Sequence, residues 1–200
     1  DSSRAKEDSE WHKLNAEAEK SLLAGKYAES IDKTKAAFAL AEKTYGLQSA
    51  EAATSLALMG HLLLTLGQYE KAEALYRQAM EIREKVLGKN HSDYGASLGD
   101  IAGIYRKTGR FFEAEPLTLQ ALAIQEKALG PEHNDVLANT GNLGLTYDYL
   151  GEFAKAIPYF ERVIAAYEKK DGTKDPRLAT PLNNLAEVYR KQGEFAKAET

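Results

Sequence analysis

From Leu98 the apolar positions fall three and four residues apart, at Ile101, Ala102 and Tyr105, and the cadence returns at Leu182, Leu185, Ala186 and Tyr189. Such spacing lays one stripe along a helix of 3.6 residues per turn. A second stripe, Ala72, Leu75, Tyr76, Ala79 and Met80, obeys the same rule. Glycines interrupt the stripes at fixed intervals. Gly25, Gly67, Gly109, Gly151 and Gly193 stand 42 residues apart, and Gly46, Gly88, Gly130 and Gly172 repeat that interval 21 residues later. Each half-period therefore reads as one helix of about 17 residues, roughly 25 Å long. The glycine ends it by entering the left-handed conformation, where a Cβ would clash. Asp175-Pro176 marks a helix start, a capping carboxylate with proline at the first helical position. Ser49 holds the same place upstream.

Two further series keep step with the glycines. Seven residues before each first-series glycine lies a small residue: Ala18, Gly60, Ala102, Gly144, Ala186. Matching alanines on the following helix, Ala72, Ala114, Ala156 and Ala198, let the two axes approach closely. Two residues after the glycine comes an aromatic, Tyr27, Tyr69, Phe111, Phe153 or Phe195, expected to plug the space between one hairpin and the next. A lone hairpin cannot bury its own apolar faces, whereas stacked hairpins share a core. The expected fold is all-α, a right-handed superhelical solenoid of about five helix-turn-helix hairpins. Residues 1–8 are expected as a flexible N-terminal segment and 9–200 as the solenoid, with repeats at about 9–48, 49–90, 91–132, 133–174 and 175–200. Glu17, Ser21, Ser30 and Thr34 make the first repeat degenerate, which suits a capping hairpin whose outer face meets water. The last repeat stops in mid-phrase, so a piece of a longer polypeptide is expected.

Composition narrows the chemistry. The chain has 200 residues, 28% of them charged, a net charge of −4 and no cysteine. Disulfides, zinc-thiolate sites and a cysteine nucleophile are excluded. The acidic balance argues against a nucleic-acid partner, which calls for a basic face. No apolar run reaches the roughly 18 residues of a membrane span, and the compartment is left open, with the cytoplasm favoured. Of the four histidines, His91 and His133 occupy equivalent G-x-x-H turns. They are one repeat apart, on the order of 10 Å, too far to share a metal ion, and are read as helix-capping residues. No phosphate loop or nucleophile elbow is present. Neither a catalytic role nor a cofactor is expected.

The arrangement Leu143-Gly144, Tyr147, Gly151, Ala156 and Phe160 resembles the tetratricopeptide repeat. The 42-residue period resembles the long form of that unit in kinesin light chain and in many bacterial proteins. "YRQAMEIREKVLGKNH" (76–91) and "LNNLAEVYRKQGEFAKAE" (182–199) carry the likeness. The resemblance implies a protein-interaction scaffold that binds a polypeptide segment in a concave groove lined by the first helix of each hairpin. The alternative is a regulatory arm of a larger enzyme, since bacterial relatives are often fused to a protease or a nucleotide-hydrolysing domain.

On that reading the groove positions are Leu58, His61 and Thr65 in the second repeat, and Asp100, Gly103 and Lys107 in the third. The fourth offers Asn142, Leu145 and Tyr149, and the fifth Asn184, Glu187 and Lys191. In the family an asparagine at the first of these places commonly bonds the main chain of an extended peptide. Asn142 and Asn184 match it, Asp100 matches in part, and Leu58 does not. The basic pairs Arg106-Lys107 and Arg190-Lys191 stand at the groove edge and would favour an acidic segment. The unfinished last hairpin offers a route to a homodimer.

Overall fold

The computed structural model describes residues 2–198, which form ten α-helices and a short 3-10 turn. The helices are α1 (Ser2–Leu23), α2 (Tyr27–Tyr45), α3 (Ala50–Thr65), α4 (Tyr69–Leu87), α5 (Ser92–Lys107), α6 (Phe111–Leu129), α7 (Asn134–Tyr149), α8 (Phe153–Asp171), α9 (Ala179–Lys191) and α10 (Phe195–Ala198). No strand occurs among the described residues. The chain is all-α, as the periodicity predicts, though the two helices of a repeat differ in length. First helices α3, α5 and α7 have 16 residues, and second helices α2, α4, α6 and α8 have 19.

Two compact units divide the chain, Asp1–Ile104 and Tyr105–Thr200, with the boundary inside α5. Within the first unit α1 packs on α2, α2 on α3 and α3 on α4. Within the second, α6 packs on α7, α7 on α8, α8 on α9 and α9 on α10. Neighbours in sequence are thus neighbours in space, the stacking expected of repeated hairpins.

The punctuation works as the sequence implies. Gly67 has φ +72°, which turns the chain so that Gln68 N–H reaches Leu63 O at 2.8 Å. This closes the end of α3 in the manner of a Schellman motif. Helix starts repeat every 42 residues as well. Ser49 Oγ accepts from Ala52 N, His91 Nδ1 from Asp93 N, His133 Nδ1 from Asp135 N and the Asp175 carboxylate from Arg177 N, at 2.9–3.2 Å. The two turn histidines are therefore caps. Imidazole acts as the acceptor that serine or aspartate supplies elsewhere.

Cores differ from the expectation in one respect. The deepest plugs are not the aromatics just past the turn, since Tyr27 is 39% and Phe195 64% exposed. They are Tyr76 and Phe160, buried on the second helices. Each lies against the mid-helix glycine of its own hairpin. A Cβ at Gly60 would come within 2.9 Å of Tyr76 Cε1, and one at Gly144 within 2.8 Å of Phe160 Cε1. Around Phe160 gather Leu122, Val136, Leu143, Tyr147, Ala156 and Val188, the core of the second unit. Phe111 and Phe153 come nearer the plug expectation: the Phe111 ring stacks on Tyr149 of the next hairpin at 4.7 Å and 9°, and Phe153 packs against the core around Phe160.

The first hairpin also departs from its expected form. Residues 2–8, expected to be flexible, are the opening turns of α1, where Glu7 bonds Lys43 and Asp8 accepts from the Tyr45 hydroxyl. Ser21, Ser30 and Thr34, expected on a wet outer face, are buried. Ser30 Oγ donates to Ala18 O at 2.9 Å and Thr34 Oγ1 to Ser30 O at 2.8 Å. Short hydroxyl side chains satisfied by nearby carbonyls can be buried at little cost. They are small packing residues here. Only Glu17 behaves as expected, half-exposed and ion-paired to Lys33.

Candidate functional site

Six of the groove positions converge on two cavities, one in each unit. In the first unit Leu58 and His61 of α3 and Asp100 of α5 line a cavity of about 210 Å³. Asn15, Glu19, Thr54, Ala57, Tyr76 and Arg83 complete it. Arg83 governs its electrostatics. Its side chain is buried, with 6% of the residue exposed. The guanidinium donates to neutral oxygens only: Asp93 O at 3.2 Å, Ser97 Oγ at 2.8 Å and Thr54 Oγ1 at 3.4 Å. Its Nε is buried without a hydrogen-bond partner among the described residues. Burial draws the Arg83 pKa down, and the charges of Asp93 and Asp100 oppose that shift. A guanidinium stays charged in proteins, so a positive charge is held at the cavity wall with its Nε donor unspent.

The second cavity is of another kind. Asn142 and Leu145 of α7 and Asn184 of α9 meet there, over a floor of Phe160, Val163 and Tyr167 from α8. Leu137, Ala138, Gly141, Arg177, Thr180 and Pro181 close the sides of a space of about 310 Å³. Its one charged group is already engaged. Arg177 grips Asp175 through both carboxylate oxygens at 2.5–3.0 Å, and its guanidinium rests over the Tyr167 ring at 4.6 Å. That contact, with the backbone N–H of Arg177, holds the Asp175 carboxyl below the usual carboxylate range. The side-chain amides of Asn142 and Asn184 make no hydrogen bond to other described residues, and both residues are half-buried.

The remaining groove positions line neither cavity. Arg106 is half-buried, its pKa lowered by desolvation against an opposing influence from Tyr149, and Lys107 is exposed. Tyr149 is 60% exposed and stacked on Phe111. The second basic pair is spent internally, because Arg190 pairs with Glu187 at 2.6 Å and Lys191 with Asp148 at 2.8 Å. Of the two pairs expected to favour an acidic segment, Arg106-Lys107 has no such carboxylate among the described residues.

Sequence reasoning confined the groove to first helices and so missed Tyr76, Arg83, Phe160 and Tyr167, which come from second helices. A signal did exist. Arg83, Gln125 and Tyr167 occupy one register position, 42 residues apart, with changing chemistry. A core position repeated for packing alone would keep its character. Gln125 is buried and accepts from Asn139 Nδ2 at 2.6 Å, so that copy is internally satisfied. Among the described residues no group of three or more His, Cys, Asp or Glu could hold a metal ion, and no helix is long and apolar enough to cross a membrane.

Comparison with known proteins gives a consistent result. Tetratricopeptide repeat models match residues 18–85, 56–111, 93–169 and 142–200. The solved structure of BtubC (BKLC) from P. vanneervenii aligns with a TM-score of 0.80 at 21% identity, covering 94% of this chain and 75% of that one. A putative kinesin light chain from Podosopora anserina with nearly identical TPR-like repeats aligns at 0.74 and 26% identity, covering 94% and 89%. A Rap protein complexed with competence and sporulation factor aligns at 0.78 and 19%; this chain spans about half its length, 51%. A search of curated proteins finds no match.

The Asp175–Arg177 clasp yields a pH prediction. A carboxyl whose folded pKa is depressed adds stability that is fully present above its unfolded value, about 3.9, and is lost as pH falls through the lower folded value. Thermal melts between pH 6 and pH 2 should therefore show a smaller acid-induced loss in Asp175→Asn than in the native chain. Equal losses would show that the clasp adds nothing.

Proposed function

The chain belongs to the tetratricopeptide repeat family, and on that premise we propose that it is a protein-interaction scaffold whose first helices hold an extended segment of a partner polypeptide. The observation that carries this reading is the pair of side-chain amides, Asn142 and Asn184, half-buried at one cavity and without a hydrogen bond to the described residues. An amide donates and accepts at once, which suits the alternating N–H and C=O of a peptide main chain. Arg83, with a buried and unpartnered Nε at the other cavity, supports the same use with a polar or acidic group. The Rap neighbour complexed with competence and sporulation factor is in keeping with it. Binding would come from many modest contacts on a preformed surface, with little ordering cost.

A second reading concerns self-association. Between α8, α9 and the short α10 lies an open groove of about 560 Å³ lined by Ile164, Ala165, Leu182, Leu185, Ala186 and Tyr189. Leu182 is 44% exposed there. Glu161 and Glu168 stand on one side and Lys197, already paired with Glu194, on the other.

Two experiments test these readings. A protein captured by the native chain should be lost by Asn142→Ala/Asn184→Ala, which keeps its helical circular dichroism. Two hydrogen bonds at about 1 kcal/mol each correspond to roughly thirtyfold in affinity. Undiminished capture by the double variant would contradict the groove reading. For self-association, sedimentation should show a mass rising with concentration above 22.0 kDa and returning to the monomer in Leu182→Glu. A native chain that stays monomeric at high concentration would refute the pairing.

A further inference from the structure

Two register positions at the ends of neighbouring first helices change their chemistry from one repeat to the next. At the end of α7, Asp148 meets Lys191 of α9, with both carboxylate oxygens 2.8 Å from Nζ. One repeat earlier the same two positions hold Arg106 of α5 and Tyr149 of α7. A base stands there without its acid. Among the described residues Arg106 has no hydrogen bond or ion pair, although it is half-buried. Burial lowers its pKa, and Tyr149 is the group that opposes the shift. Arg106 is thus partly stripped of water with no counter-charge, a cost that a bound anion would offset.

Beside it lies a flat aromatic face. Phe111 covers one side of the Tyr149 ring, with centroids 4.7 Å apart and planes 9° from parallel. Yet 60% of Tyr149 is exposed, so its other side faces water. An open aromatic face of this kind receives a planar nucleobase. Lys107, exposed next to Arg106, adds a second positive charge. The carboxylates close in sequence are already engaged, Asp148 by Lys191 and Glu113 by Arg110. A ring and two cations are therefore left at the ends of α5 and α7.

We propose that the ends of α5 and α7 form a site for a nucleoside monophosphate, whose base stacks on the open face of Tyr149 while Arg106 and Lys107 hold its phosphate. A guanidinium grips a phosphate through two parallel hydrogen bonds, and a lysine adds a point charge. A single nucleotide needs only this local charge, whatever the net −4 of the whole chain. A longer strand would need a basic track that follows its backbone. One repeat on there is none, because Arg190 is paired with Glu187 and Lys191 with Asp148. The site goes beyond the scaffold reading and does not depend on Asn142 or Asn184.

The test follows amide resonances of residues 105–112 and 147–151 in the native chain. The probes are adenosine 5′-monophosphate, adenosine, ribose 5-phosphate and a hexa-adenylate strand. The monophosphate should shift these resonances saturably at millimolar concentration. Adenosine and ribose 5-phosphate, each lacking one half of the ligand, should bind roughly tenfold more weakly. Added salt should weaken the monophosphate and spare adenosine. Arg106→Gln should weaken the monophosphate by roughly tenfold and leave adenosine unchanged. Tyr149→Ala should weaken both of these and leave ribose 5-phosphate unchanged, a split that loss of fold would not produce. Lys107→Gln, at an exposed side chain, serves as the second variant should Arg106→Gln lower the melting temperature, with a several-fold loss expected. No saturable shift at these residues, a monophosphate no tighter than ribose 5-phosphate, or unchanged binding by a folded Arg106→Gln or Lys107→Gln variant would each overturn the proposal. A strand that binds much tighter than the monophosphate would overturn it as well.

Discussion

The contact between a mid-helix glycine and a buried aromatic ring organises the hairpins of this chain. Gly60 against Tyr76 and Gly144 against Phe160 bring two helices closer than any side chain at the glycine would allow. Glycine in a helix interior costs about 1 kcal/mol relative to alanine. Burying an aromatic ring returns about 1.5–3 kcal/mol, so the exchange favours the folded hairpin. The other hairpins solve the same problem differently. Where the small residue is Ala18 or Ala102, the register position of the ring holds Thr34 or Thr118, both fully buried. Glycine goes with a ring and alanine with a threonine, alternating along the chain.

That alternation also determines where surfaces useful for binding arise. Tyr76 and Phe160 are core residues and wall residues at once, since each also lines a cavity. The ring that fixes the hairpin thereby fixes the wall of the pocket beside it. Seven residues further on, the chain places the side chain that gives each pocket its character, Arg83 in one and Tyr167 in the other. Packing and recognition thus occupy one helix face, with the constant part of the repeat holding the variable part in place. Preorganisation of this kind limits the ordering cost of binding.

Much of the fold was legible because its rules are local and periodic. A glycine at positive φ, a cap on the residue just before the first helical turn and a 3–4 apolar stripe each leave a mark within a few residues. Ser49, His91, His133 and Asp175 show this well, four acceptors of differing chemistry in one role. What escaped depends on contacts across helices. Ser30 and Thr34 look polar in sequence but are buried against backbone carbonyls. Lys191 looks like a groove-edge charge until Asp148, 43 residues away, is found holding it at 2.8 Å. Arg83 sits in a run of charged residues that reads as a solvated face, and only the packing of α4 shows that it is buried.

The most direct test is a double-mutant cycle at Gly144 and Phe160, read by chemical unfolding. Gly144→Ala should destabilise by about 1–3 kcal/mol through overpacking, and Phe160→Thr by about 3–5 kcal/mol through the cavity it leaves. Combined, they copy the alanine–threonine pairing of the other hairpins. The pair should then lose less than the sum, with a coupling of about 1–3 kcal/mol. Losses that add within about 0.5 kcal/mol would contradict the account, because the two positions would not be shaping each other.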